Sequence, residues 1–148
     1  MACPLFIPTA ALSDMVAVAA PLGNLHSGHC AADPAAAIET ETLRRYCNFG
    51  YARGYCERAA RSDSDAVRLM VRSECGNVVE IAWAVERNHH PVAVGIIEIV
   101  IGAEPPAPQS QANETQANET QANDPHLRQS YACAAAYVSQ IGANAHQH

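Results

Sequence analysis

The sequence contains no lysine. Its nine basic residues are all arginine, set against 15 acidic ones, and the net charge is −6. An acidic chain without a dense basic run is a poor match for a phosphate backbone or an anionic bilayer, so no nucleic acid and no membrane is expected as its main partner. Aromatic residues are scarce as well, at 5%, and the 49% hydrophobic content leans heavily on alanine. This composition predicts a thin core of Val, Ile and Leu. No apolar run is long enough to span a bilayer. The chain has no phosphate-cradling glycine loop, no G-x-S-x-G, no H-E-x-x-H and no C-x-x-C. The common enzyme classes therefore lack their signatures here, and the reading leans away from an enzyme.

What is present fits one domain of ordinary size, since 148 residues are enough to bury a core. The N-terminal stretch lacks the basic region of a secretory signal and is interrupted by Pro4, Pro8 and Asp14. A cytoplasmic location is expected on that basis. Six cysteines in such a setting point to metal or thiol chemistry rather than disulfides. In an oxidising compartment the same even count would fit three disulfides of undeducible connectivity.

Residues 1–32 read as an irregular arm, because prolines at 4, 8 and 21 and glycines at 23 and 28 break any long periodic element. A short helix near Ser13–Ala20 is expected within it, capped by Ser13. Asp33-Pro34 then resembles an N-cap and first-turn proline. Leu43, Tyr46, Cys47 and Gly50 recur on one helical face, and the spacing predicts a helix over 42–55 inside a helical region 34–56.

From residue 66 the period changes to two. Val67, Leu69 and Val71 form one apolar row, and Val79, Ile81, Trp83 and Val85 form the next. Pairing across the Cys75–Asn77 turn sets Val71 opposite Ile81, Leu69 opposite Trp83 and Val67 opposite Val85, with Arg72 facing Glu80. The third strand, over 91–101, has Val92, Val94 and Ile96, then Ile97, Ile99 and Ile101, as its inward set, with the parity slipping between Ile96 and Ile97. A β-bulge near Gly95–Ile97 is expected there.

The Pro-rich and QANET-repeat segment 104–124 reads as a disordered linker. A C-terminal helix over 125–142 follows, with Leu127, Tyr131, Ala134, Val138 and Ile141 as its apolar seam, and 143–148 as a frayed tail. The expected fold class is α+β. A three-stranded antiparallel meander has one face covered by two helices, and the cysteine-bearing arm folds back within a compact domain 1–103.

The candidate site is a set of four cysteines: Cys3, Cys30, Cys47 and Cys56. All four lie in the least regular part of the chain, and two glycines between Cys47 and Cys56 allow the backbone to bend around a site. Four thiolates suit a [4Fe–4S] cluster or a structural zinc. Zinc ligands usually come in close C-x₂₋₄-C pairs, and the dispersed spacing here favours the cluster. The alternative for these thiols is plain packing, because a free cysteine behaves as a small hydrophobe. Cys75, in a turn, and Cys133, off the helix seam, are poorer ligand candidates. Arg53 and Arg58 flank Cys56, where they either offset thiolate charge or simply face solvent. Tyr46, Phe49, Tyr51 and Tyr55 either screen a site or fill the core.

His26 and His29 stand beside Cys30. His89 and His90 offer a base with Glu86, or a dyad with Cys56, but read better as a polar turn. His146 and His148, in the tail, have no assigned role. The leading expectation is a small iron–sulfur or metal-binding protein with a redox, sensory or structural role. A cofactor-free interaction module using a sheet edge to bind a protein partner is the alternative, and a cysteine-dependent enzyme the weaker one.

Overall fold

The computed structural model describes residues 1–12, 20–104 and 124–145. The expected helix at Ser13–Ala20 and the body of the linker therefore lie outside the described residues. Two antiparallel sheets carry the fold. The smaller pairs β1 (Phe6–Ala11) with β2 (His26–Cys30), and the larger has the order β3 (Ala66–Cys75), β4 (Val78–Arg87), β5 (His90–Val100). Helical structure is limited to α1 (Thr40–Thr42), a wide turn over Leu43–Cys47, a short turn at Ala59–Arg61 and α2 (Pro125–Ala145). Mixed α+β architecture follows.

The β1–β2 ribbon corrects the expectation of an irregular arm. Proline and glycine are indeed present, but each sits where a strand tolerates it. The register shifts between Pro8 and Ala10, and a bulge is a place where proline removes no needed ladder bond. Gly28 pairs with Pro8, and a Cβ there would lie 2.2 Å from the Ile7 carbonyl oxygen and 2.7 Å from the Phe6 ring. The close approach of the two strands thus requires glycine.

The register of β3 on β4 places Val67 opposite Val85, Leu69 opposite Trp83 and Val71 opposite Ile81, as the alternation predicts. Arg72 is a bulge residue instead of the direct partner of Glu80. Ser73 takes that position, and Arg72 still reaches Glu80 with an N···O distance of 2.8 Å. In β5 the first half of the expected inward set is overturned and the second half stands. Val92, Val94 and Ile96 are exposed, whereas Ile97 and Ile99 join the core. The bulge is displaced too: Val85 pairs with Ala93 and Glu86 with Pro91, so the extra residue is Val92 of β5. From Ala93 to Val100 β5 pairs residue for residue, so Val94 and Ile96 lie on the face opposite Ile97 and Ile99. The Trp83 ring covers Gly95, where a Cβ would lie 2.4 Å from Cζ2.

The helix expected over 42–55 ends early. Asn48 N–H reaches back to the Leu43 carbonyl at 3.3 Å, Gly50 has φ +75° and Tyr51 φ +54°. A left-handed pair cannot continue a helix. Pro34 opens a turn and not a helix. Helix α2 runs past Gly142 to Ala145. Its buried residues, Gln129, Ser130, Cys133, Ala134 and Ala136, are mostly small or polar, while Ile141 of the expected seam is exposed. Cys133 is buried in the core and not on a flank. Ala2, Phe6, Leu22, Leu43, Val67, Val79, Ile81, Ile99 and Ala134 belong to one apolar cluster joining both sheets and α2.

Two glycine substitutions separate tight packing from open space. Gly28→Ala is expected to cost about 1–3 kcal/mol, because backbone must move to admit the methyl group. Gly142→Ala meets no atom within 4 Å on an exposed helix face and is expected to gain up to about 1 kcal/mol. Urea unfolding of both variants measures the contrast.

Candidate cysteine site

The four cysteines enter the site from four separate segments. Cys3 follows Ala2, which pairs with Val67 of β3 through two backbone bonds of 2.7 and 2.8 Å. The Cys3 N–H then donates to the Cys47 carbonyl at 2.9 Å, which fixes these two residues side by side. The Cys3 carbonyl accepts from Phe6 N–H at 3.0 Å and from Gln129 Nε2 at 2.8 Å. Cys30 ends β2 opposite Phe6. Cys47 closes the wide helical turn, and Cys56 follows a turn in which its N–H donates to the Ala52 carbonyl at 2.9 Å.

All four line a single hollow, together with Phe6, Ile38, Thr42, Tyr46, Ala52, Arg58 and Ala59. Its cavity volume is about 20 Å³, room for roughly one water molecule. Its walls are almost wholly apolar. Cys3, Cys30 and Cys47 are buried, and Cys56 is partly exposed. Cys75 is exposed, Cys133 is buried elsewhere in the core, and neither lines the hollow. Among the described residues no three His, Cys, Asp or Glu side chains are arranged to hold one metal ion.

Burial shifts the thiols strongly. Cys3 is raised to about 11, first by loss of water and then by the neighbouring Cys30 and Cys56, against an opposing backbone hydrogen bond at Leu5. Cys47 is raised to about 12 by burial and by Cys3, Cys56 and Cys30, with Arg58 opposing weakly. As free thiols both are neutral at physiological pH. Only ionised ligands bind metals tightly, so occupation of this site would release protons and weaken as pH falls.

Polar residues around the hollow set its shape. Asn48, fully buried beside Cys47, accepts from His26 N–H at 2.9 Å and donates to the carbonyls of His26 and Leu43 at 3.0 and 2.9 Å. It joins the cysteine turn to β2. Arg58 pairs with Asp33 at 3.6 Å, and Arg61 donates to the Ala32 carbonyl at 3.1 Å, so the Cys56 segment is tied to the loop after Cys30. Tyr51 Oη donates to Glu86 Oε2 at 2.6 Å, and Arg68 Nε donates to Glu86 Oε1 at 2.7 Å. Those two bonds, Arg68 first, hold the Glu86 carboxyl below its ordinary range. Arg53 pairs with Asp65 at 3.0 Å.

Sequence reasoning did not single out Asn48, Gln129, Phe6 or Asp65. Asn48 offered one signal, an asparagine at the end of a helical pattern and two residues before a glycine. Of the aromatic candidates, Tyr46 lines the hollow and stacks on Tyr55 at 5.4 Å between centroids. Tyr51 instead stacks on His89 at 4.4 Å. His89 and His90 belong to a left-handed turn at Asn88 and His89, and neither lines the cysteine hollow. His26 is buried against the Asn24 carbonyl, and with His29 it lines a different hollow beside α2.

Because the folded-state pKa values of Cys3 and Cys47 lie above the ordinary thiol value of 9.0, their contribution to stability is complete below pH 9. It is lost as pH rises through about 11 and 12. The reduced, metal-free protein is expected to lose up to about 7 kcal/mol over that window from these two thiols. Denaturant unfolding at stepped alkaline pH should show a flatter profile for a Cys3→Ala/Cys47→Ala variant, and an unchanged slope would contradict the assignment.

The chain matches no protein-family model, no curated protein and no solved structure.

Proposed function

We propose that the protein holds an iron–sulfur cluster through Cys3, Cys30, Cys47 and Cys56, in a redox, sensory or structural role. The observation that carries this reading is that four cysteines, scattered over 54 residues of sequence, line the same hollow. Packing alone does not ask for it. Thiols kept only for packing would be expected at separate places in the core, as Cys133 is.

The type of occupant follows from spacing and surroundings. One tetrahedral zinc needs sulfurs about 3.8 Å apart, given bonds of about 2.3 Å. The described side chains offer no such grip on a single ion. A cubane carries its thiolates farther apart and suits dispersed ligands, so [4Fe–4S] is favoured over zinc. The wall residues Phe6, Ile38, Ala52 and Ala59 would limit water around the inorganic core, and Arg58 would offset part of its negative charge.

A second reading is the cofactor-free interaction module. It draws on the outer face of the larger sheet, where Met70, Val94 and Ile96 are exposed beside the β5 edge. It requires the four-thiol hollow to be incidental. Purification without oxygen, with iron, sulfide and zinc analysis and a visible spectrum, separates the two. The cluster reading expects iron and sulfide in equal amounts, with broad charge-transfer absorption that is lost when Cys3 and Cys47 are both replaced by serine. A colourless, metal-free and fully folded product would overturn it.

A further inference from the structure

The two edges of the larger sheet differ. At the β3 edge, Ala2 takes both outward backbone groups of Val67, at 2.7 and 2.8 Å. Arg68 stands beside that bridge, and Arg72 forms a bulge farther along. Charge and bulges are what keep an edge strand from pairing with another chain. The β5 edge is without both over Ala93–Val100. That stretch pairs residue for residue with β4, and its one charged side chain is Glu98.

The Ile101 N–H bond to the Asn77 carbonyl, at 2.7 Å, sets the phase of the β4–β5 ladder. Counting back by twos, Ile99, Ile97, Gly95 and Ala93 turn their backbone groups to β4. The N–H and C=O groups of Val94, Ile96 and Glu98 then point off the sheet, and among the described residues no backbone group takes them. Val94 is 70% exposed and Ile96 52%. Beside the same edge, an apolar hollow of about 270 Å³ is lined by Ile99, Ile101, Tyr131, Ala134 and Val138. A row of alternate N–H and C=O groups is satisfied by an extended strand, and the hollow asks that the strand be apolar.

The β5 strand itself meets both demands, because a two-fold axis pairs a strand antiparallel with its own copy. With the axis on Ile96, Val94 of each copy lies opposite Glu98 of the other, and Gly95 lies opposite Ile97. The large side chain thus falls beside the one position that has none. The two Glu98 carboxylates stand four residues apart, about 13 Å at about 3.3 Å per residue. An axis one residue on, at Ile97, would make them diagonal neighbours about 7–8 Å apart, which like charges disfavour. We propose that two copies of the chain pair through β5, centred on Ile96, to form one continuous six-stranded sheet. The pairs of Val94 with Glu98, Ile96 with Ile96 and Glu98 with Val94 supply about six backbone hydrogen bonds. The proposal rests on the sheet-edge part of the interaction reading above and leaves the content of the cysteine hollow open.

The test measures the mass of the full chain by light scattering at rising concentration into the millimolar range. A species of twice 15.8 kDa is expected. Hydrogen exchange at the amides of Val94, Ile96 and Glu98 should slow as that species forms. Ile96→Pro removes an N–H that β4 does not use, and Ile96→Lys puts charge on the axis. Each acts twice in a symmetric pair and is expected to raise the dissociation constant at least about tenfold. Met70→Lys, on the outer face away from this edge, is expected to leave it unchanged. Circular dichroism checks that each variant is folded. Wild-type protein that stays monomeric overturns the proposal, as does a dimer that survives in both folded Ile96 variants. Loss of the dimer in Met70→Lys overturns it in favour of face-to-face stacking of the sheets. Iron content, measured on the same sample, decides the cluster reading separately, and neither answer moves the dimer.

Discussion

The hydrogen bond from Cys3 N–H to the Cys47 carbonyl is the contact on which the rest of the arrangement depends. One residue earlier, Ala2 is paired into the edge of β3. A few residues later, Phe6 enters β1. The first residues of the chain are thus a seam between the larger sheet and the helical turn, and each cysteine position is defined relative to it. If that seam opens, Cys3 leaves Cys47, and Gly50, whose Cβ position would lie 3.0 Å from the Ala2 carbonyl oxygen, loses the surface it packs on.

Buried polar groups, more than apolar mass, hold this seam in one register. Asn48 and Gln129 are both fully buried. Asn48 uses its oxygen and both N–H groups on backbone. Gln129 gives both N–H groups to the carbonyls of Cys3 and Phe6 at 2.8 Å, and its oxygen has no partner in the structure. A buried unpaired acceptor costs about 1–3 kcal/mol. That cost is offset by two satisfied carbonyls that the strand ladder leaves free. Around the edge, Tyr51 with Glu86 and Arg53 with Asp65 hold the loop between Cys47 and Cys56 against the sheet. With few aromatic residues to fill space, directional bonds supply the specificity that a larger core would provide through shape.

The legible parts of this fold were those set by periodicity. Alternation in residues 67–85 gave the correct faces and the correct partners, since a slip by one residue would expose Val67, Leu69 and Ile81 together. The failures share a physical cause, a side chain or backbone conformation that acts between elements distant in sequence. The register with β4 puts the β5 bulge at Val92 and not near Gly95–Ile97, which leaves Val94 and Ile96 on the outer face, and nothing within β5 itself signals that register. Pro8 and Gly28 looked like breakers until paired with each other. Tyr51 in a left-handed conformation ended the helix, a conformation that tyrosine rarely adopts. The choice of four cysteines out of six rested on their lying outside the regular strands. Their sharing of one hollow is a tertiary fact, and the segments that bear them are joined by Asn48 and Gln129, of which only Asn48 carried a local signal.

The bond between Gln129 and Cys3 joins residues 126 positions apart. A ribosome releases a chain at about 5–20 residues per second from the N-terminus. Cys3, Cys30, Cys47 and Cys56 therefore emerge well before the helix that fixes the Cys3 loop, and they spend seconds as open, water-exposed thiols. During that interval they are easier to ionise than in the finished fold, where burial raises Cys3 and Cys47. A reagent that needs an ionised thiol at Cys3 or Cys47 therefore has its readiest access before the C-terminal helix docks.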